Sequence, residues 1–80
     1  MTLAQLDAVE KQALYGLLVY GKVQIDKYDI RVLKEPGRHK VELRRGSDSV
    51  RKEPLESVMA VISTLLYSLQ IDEKLQANQT

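Results

Sequence analysis

The segment between residues 28 and 45 constrains the fold most strongly, because its two halves complement each other when the chain doubles back. In that arrangement Val32 lies opposite Val41 on one side of the ribbon, and Arg31 lies opposite Glu42 on the other side. Antiparallel strands favour this combination of apolar contacts on one face and opposite charges on the other. The sequence therefore predicts a β-hairpin with one apolar face.

Short segments around this ribbon predict its boundaries. A turn at Pro36-Gly37 joins strands predicted over residues 28–34 and 39–45, and Gly46–Ser49 is predicted to be a loop. The preceding segment, Lys22–Asp26, alternates apolar and polar residues. A third short strand there is therefore left open, with a turn or bulge near Asp26-Lys27 before the hairpin begins.

An amphipathic helix is predicted from about residue 3 to residue 20, because apolar side chains recur there every three or four positions. Thr2 and Gln5 fit a capping box at its start, and Gly21 suits its end. Gly16 lies within the helical pattern, where it either permits the close approach of a neighbouring element or marks an earlier end.

A second amphipathic helix is predicted to begin at Pro54 and to run to about residue 71, or as far as Leu75. Val61 and Tyr67 lie outside its main apolar stripe. The prediction is a single α+β domain over residues 1–75, ordered helix, hairpin, helix, with a frayed polar tail over 76–80. The stripe consists of Leu55, Val58, Met59, Ile62, Leu65, Leu66 and Leu69.

Self-association is predicted from size and composition. A chain of 80 residues buries roughly 60% of its unfolded surface, which leaves a thin margin of stability. The chain has no cysteine, so disulfides cannot supplement that margin. A two-stranded ribbon also gives little shelter to two apolar helix stripes. We therefore expect a homodimer.

Several classes of site and location are disfavoured by the sequence. With no cysteine and one histidine, a structural zinc site is not expected, and no other metal or cofactor is predicted. No apolar run is long enough to cross a bilayer, and the N-terminal residues do not follow a secretory-signal pattern. The cytoplasm is the expected compartment, and no membrane association is predicted.

Catalysis is not expected either. The four glycines are scattered singly and form no phosphate-binding loop. A serine nucleophile would need a base, and the sole histidine, His39, adjoins the predicted hairpin turn. We therefore predict that the protein is not an enzyme and that His39 is a solvated turn residue.

Positive charge is concentrated in the middle of the chain. Residues 31–52 contain eight Lys or Arg against three acidic residues, although the whole chain has a net charge of only +1. A basic β-ribbon can bind nucleic acid, but the predicted pairing of Arg31 with Glu42 and of Arg44 with Asp29 neutralises part of that charge. The remaining candidates for binding an anionic partner are Lys34, Arg38, His39, Lys40, Arg45, Arg51 and Lys52.

The sequence thus favours a small, non-catalytic, homodimeric adaptor or regulator that binds another protein, whose identity no residue reveals. The alternative is a nucleic-acid-binding regulator that uses the basic hairpin. A basic strand edge also has a purely structural use, because charge at an edge discourages sheet-to-sheet aggregation.

Overall fold

The computed structural model describes residues 1–78 of the chain and shows a single α+β domain. The four strands form one antiparallel sheet in chain order, and the second long helix follows a single 3-10 turn. The predicted fold class is therefore confirmed. The elements are α1 (Leu3–Tyr20), β1 (Lys22–Ile25), β2 (Tyr28–Glu35), β3 (Arg38–Arg45), β4 (Asp48–Pro54), a 3-10 turn (Leu55–Ser57) and α2 (Val58–Asn78).

The first helix begins and ends where the sequence predicts. The Thr2 side chain accepts a hydrogen bond from the Gln5 N–H at 3.2 Å, and the Gln5 side chain accepts one from the Thr2 N–H at 2.8 Å. At the other end Gly21 adopts φ of 73°, and its N–H donates to the Leu17 carbonyl at 3.1 Å. Both ends of α1 thus have partners for backbone groups that a helix leaves unpaired.

The hairpin has the predicted register. Val32 pairs with Val41 and Arg31 pairs with Glu42 across β2 and β3. The third strand that the sequence left open is present as β1, which pairs with β2 on the side away from β3. A two-residue turn at Asp26-Lys27 joins β1 to β2, with Asp26 at φ of 56°, a conformation that aspartate tolerates better than most residues.

The prediction of a loop over Gly46–Ser49 is wrong beyond its first two residues. Only Gly46 and Ser47 form a turn, and the chain then continues as β4, which pairs with β3 through a bulge between Leu43 and Arg44. This strand carries few apolar side chains, and its one large aliphatic residue, Val50, is exposed. Backbone pairing at the sheet edge forms β4, so apolar periodicity gave no sign of it.

The second helix starts later and ends later than predicted. Pro54 is the last residue of β4, where an edge position needs no N–H from it. The 3-10 turn separates it from α2, which runs to Asn78, past the predicted ends near residues 71 and 75. Fraying over 76–80 stays a prediction about motion, and residues 79 and 80 lie outside the described part of the chain.

Both helices pack on one face of the sheet and run antiparallel to each other. The N-terminal ammonium before α1 lies 2.6 Å from Glu73 near the end of α2, while Leu14 of α1 and Val58 of α2 line one groove at the opposite end. Val61, predicted to lie off the main stripe, is fully buried, whereas Met59 from that stripe is 45% exposed. The core consists of Ala13, Leu17, Tyr28, Ile30, Val41, Leu43, Val61, Ile62, Leu65 and Leu69.

Gly16 permits a close contact between α1 and the sheet, one of the two roles that its position in the sequence suggested. A β-carbon at residue 16 would lie 2.7 Å from the β-carbon of Val23 in β1, closer than two such atoms can approach. The absence of a side chain therefore lets the C-terminal half of α1 lie directly on β1. The larger sheet also removes the argument for dimerisation that rested on a two-stranded ribbon.

Candidate binding surfaces

The sheet has a face covered by the helices and an open face. Because side chains alternate along a strand, those next to the buried positions Ile30 and Val41 point to the open face. Of the charged side chains there, six are Lys or Arg and three are acidic. These open-face residues are Lys22, Asp29, Arg31, Glu35, Arg38, Lys40, Glu42, Arg44 and Lys52.

The hairpin tip contains three of the seven residues that the sequence predicts to bind an anionic partner, which are called the nominated residues below. Lys34 pairs with His39 across the strands, and Arg38 pairs with Glu35. The side chains of Lys34, Arg38 and His39 are exposed, and none of them forms an ion pair with a carboxylate within residues 1–78. The tip is therefore a small cluster of available cations.

Two further nominated residues, Lys40 and Lys52, share a carboxylate on the open face. Their ammonium nitrogens lie 3.5 and 3.1 Å from the oxygens of Glu35. The hydrogen bond from Lys52 is the main cause that lowers the pKa of Glu35, and the charge of Lys40 adds to it. These two lysines are thus engaged within the protein.

The last two nominated residues lie on the helix-covered side of the sheet. The Arg45 guanidinium lies 6.0 Å from the centre of the Tyr28 ring. Arg51 donates hydrogen bonds to Glu53 at 3.1 Å and to the hydroxyl of Thr64 at 2.9 Å. The seven nominated residues are therefore divided between the tip, the open face and the helix-covered side, and they do not form one continuous patch.

The predicted neutralisation of Arg31 by Glu42 does not occur, although the two residues are paired in register. Glu42 is 8% exposed and accepts hydrogen bonds from Arg44 at 3.4 Å and from the Ser49 hydroxyl at 2.9 Å. The ion pair therefore runs along β3, and Ser49 belongs to the strand that the sequence did not predict. Arg44 and Asp29 likewise form no ion pair.

Arg31 also lies opposite a cation, on the side of β2 away from Glu42. Its cross-strand partner in β1 is Lys22, and neither residue forms an ion pair with a carboxylate in the described part of the chain. Like charges directly opposite each other destabilise a sheet by a fraction of a kcal/mol. No local pattern predicts this pair, because it forms only when residues 22–25 pair with β2 as a strand.

An apolar groove adjoins this pair of cations. It has a volume of about 990 Å³ and lies between the C-terminal end of α1 and the start of α2, over the part of β2 that extends past β1. Lys22, Arg31 and Lys34 border the groove at its rim, where the side chains of Lys22 and Arg31 point to the open face of the sheet and that of Lys34 points to the helix-covered side. Its apolar lining includes Leu14, Leu17, Leu18, Val32, Leu55 and Val58.

Exposed apolar side chains extend from the groove onto the outer surface of α1. Leu18 is 85% exposed and Val19 is 53% exposed. Tyr15 and Tyr20 are also largely exposed, and their rings meet edge to face with centres 6.5 Å apart. Such a cluster beside a groove is typical of a surface that binds another macromolecule. The sequence places Leu18 and Tyr20 on the apolar stripe of the first helix and leaves Tyr20 open between the rim of an interface and the core; both side chains are exposed.

The other end of the helix layer carries a polar cluster that is fully engaged. The Tyr28 hydroxyl donates to Asp72 of α2 at 2.6 Å, and the Lys27 ammonium lies 3.4 Å from the same carboxylate oxygen. The hydrogen bond from Tyr28 lowers the pKa of Asp72, and burial, followed by that bond, raises the pKa of Tyr28. This cluster ties β2 to α2.

No group of three or more His, Cys, Asp or Glu side chains within residues 1–78 is arranged to hold a metal ion. In the described part of the chain, neither helix combines the length and the apolarity needed to cross a bilayer. Comparison with known proteins found no matching family model, no matching curated protein and no matching solved structure. Inference about function therefore rests on the surfaces of the molecule itself.

Proposed function

We propose that this protein is a non-catalytic, homodimeric adaptor that binds another protein in the groove between α1 and α2. The observation that carries the proposal is the apolar groove that continues into the exposed cluster at Tyr15, Leu18, Val19 and Tyr20. Exposing this much contiguous apolar surface favours aggregation, and a bound partner would cover it.

The rim of the groove indicates the chemistry of the partner. Lys22 and Arg31 lie side by side and form no ion pair within residues 1–78, and Lys34 lies on the same rim. A segment with an apolar side and several carboxylates would fill the groove and also relieve the repulsion between the two cations. An acidic amphipathic helix has this pattern, and we propose it as the partner element.

The non-catalytic part of the proposal, and the cytoplasmic location that we propose with it, depend on separate observations. His39 lies exposed at the hairpin tip opposite Lys34, an arrangement that gives it no acid to act with in general base catalysis. The chain has no cysteine and thus uses no disulfide, as is usual for proteins of a reducing compartment.

Two designed peptides of equal length test the binding mode. One is an amphipathic helix of leucine and glutamate, and the other replaces every glutamate with lysine. We expect the acidic peptide to shift the NMR amide signals of Leu14, Val32 and Val58, and the basic peptide to leave them unchanged. Binding should weaken with added salt, because part of the attraction is electrostatic.

Variants at two exposed leucines provide the matched control. Leu18→Ser removes an 85% exposed side chain beside the groove, whereas Leu75→Ser removes a 54% exposed one on α2. We expect only Leu18→Ser to weaken binding of the acidic peptide. Equal binding of both peptides, or equal effects of both variants, would contradict the proposal.

Nucleic-acid binding is the second candidate function, and the open face of the sheet supports it. Its six Lys or Arg residues outnumber its three acidic residues, and Arg38 forms no ion pair with any residue that the structure describes. Titration with duplex and single-stranded oligonucleotides at two salt concentrations separates this function from the first. Binding that falls steeply with salt and is lost in a Lys34/Arg38/Lys40 triple-alanine variant would favour it, and no binding at low salt would exclude it.

A further inference from the structure

The outer face of α2 is uncharged over several turns and is bounded by one charge at each end. Met59, Tyr67 and Ile71 on this face are 45%, 66% and 37% exposed. Ser63 lies among them and is also exposed. Glu56 lies in the 3-10 turn before α2, and Lys74, near the end of α2, lies on the same side of the helix as Tyr67 by its 3.6-residue period.

We propose that this face is the dimer interface and that α2 packs antiparallel against α2 of a second copy. In the aligned register Glu56 faces Lys74 of the second copy, Met59 faces Ile71 and Ser63 faces Tyr67. The twofold axis passes between Ser63 and Tyr67, so each contact occurs twice. The inference deepens the homodimer of the proposed function and does not depend on the partner-binding groove.

Charge determines the direction of the pairing. Neither Glu56 nor Lys74 forms an ion pair in the described residues, so both remain available to a second copy. An antiparallel arrangement brings opposite charges together at both ends of the interface. A parallel arrangement would place Glu56 against Glu56 and Lys74 against Lys74, which is repulsive at both ends.

Side-chain size determines the register. Helices that pack closely have axes about 8–10 Å apart, so a large side chain needs a small one opposite it. Ser63 supplies a small residue opposite the Tyr67 ring, and the two flexible or branched residues Met59 and Ile71 meet beside it. Tyrosine also suits an interface because its ring is apolar and its hydroxyl can stay hydrated.

The two proposed surfaces are separate. Leu55 and Val58 line the groove, whereas Met59 and Tyr67 point outward from α2 and do not contribute to it. A dimer formed through α2 therefore leaves both grooves open to partners. Loss of the dimer and loss of partner binding can consequently be measured independently.

Charge reversal tests the pairing. Sedimentation of the wild-type chain up to about 0.5 mM should show a concentration-dependent dimer. Glu56→Lys and Lys74→Glu should each weaken that dimer about tenfold, since each reverses two symmetric ion pairs. The double variant Glu56→Lys/Lys74→Glu should restore it. A monomer at every concentration would overturn the inference.

Cysteine cross-linking tests the register, and the natural chain has no cysteine to interfere. A mixture of the Ser63→Cys and Tyr67→Cys variants should form a disulfide-linked dimer on mild oxidation, and a mixture of Gln12→Cys and Tyr67→Cys should not. A dimer that ignores the charge reversals and gives no link between residues 63 and 67 would overturn the inference. Binding of the acidic peptide should be unchanged in every charge variant, which separates this failure from failure of the proposed function.

Discussion

The two ends of the helix layer each place charged side chains beside apolar packing, but they treat those charges differently. At one end Asp72 accepts a hydrogen bond from Tyr28 and forms an ion pair with Lys27. At the other end Lys22 and Arg31 lie directly opposite each other beside an open groove, and neither forms an ion pair in the described part of the chain. The charged side chains at the first end have partners within the chain, whereas Lys22 and Arg31 at the second end form no ion pair in the described residues.

This difference suggests a division between stability and binding. A hydrogen-bonded, half-buried carboxylate holds strand and helix together and leaves nothing for a ligand to satisfy. Two adjacent cations that form no ion pair lower stability slightly, and binding of an anionic partner would relieve their repulsion. Substitutions at the two ends should therefore affect different measurements.

The largest expected effect comes from the core that supports both ends. Ile62 is fully buried, so Ile62→Asp would place an unpaired charge in apolar surroundings and should unfold the domain. Far-UV circular dichroism and amide NMR dispersion measure the outcome. A well-folded Ile62→Asp protein would show that the core has been placed wrongly.

Removing the Asp72 carboxylate, which binds Tyr28 and Lys27, should lower the stability of the domain. Asp72→Asn should lower the free energy of unfolding by about 2 kcal/mol, because Tyr28 would lose a charged acceptor in a half-buried site. Urea denaturation measures this change, and binding of the acidic peptide should not alter. If Asp72→Asn left the free energy of unfolding unchanged, the polar cluster would not be what holds this end together.

The pH dependence of stability should have two limbs that report on the same hydrogen bond. The pKa of Asp72 is lowered on folding, so its contribution is complete above the ordinary aspartate value near 3.8 and is lost as pH falls through the lowered pKa. The pKa of Tyr28 is raised above 10.0, so its contribution is complete below that value and is lost as pH rises through the raised pKa. Tyr28→Phe should remove the alkaline limb and weaken the acid limb in urea titrations across pH. An unchanged profile would contradict this origin.

The smallest effect on stability is expected at the open end. Arg31→Gln removes one member of the like-charge pair, while Glu42 keeps Arg44 and Ser49 as partners, so the free energy of unfolding should rise by about 0.3 kcal/mol. The same change should weaken binding of the acidic peptide, which is the opposite of the pattern at Asp72. A loss of stability in this variant would indicate that Arg31 has an intramolecular role.

Local sequence patterns predicted the elements whose signals lie in neighbouring residues. The Thr2–Gln5 capping box, the Gly21 helix end and the register of Val32 with Val41 are confirmed. Each depends on contacts within a helix end or between two strands joined by a short turn, so the sequence carries the full information.

The candidate surfaces were predicted less well, since their properties depend on distant residues. The seven nominated cations were chosen by type and position along the hairpin, but β4 and α2 engage several of them, as with Arg51 on Thr64. The pairing of Lys22 with Arg31 depends on β1, and Glu42 has a partner in Ser49 of β4, a strand without an apolar pattern, so local sequence predicts neither contact.

The amino-acid sequence alone predicts a small α+β domain with two amphipathic helices around a self-complementary ribbon. It can do so because hydrophobic periodicity and turn chemistry depend on residues close together in the chain. Only the tertiary structure decided that β4 completes the sheet, that Met59 and Leu18 are exposed while Val61 is buried, and which charges stay unpaired. These outcomes depend on which elements pack side by side, and packing is a property of the assembled core that no local stretch of sequence contains.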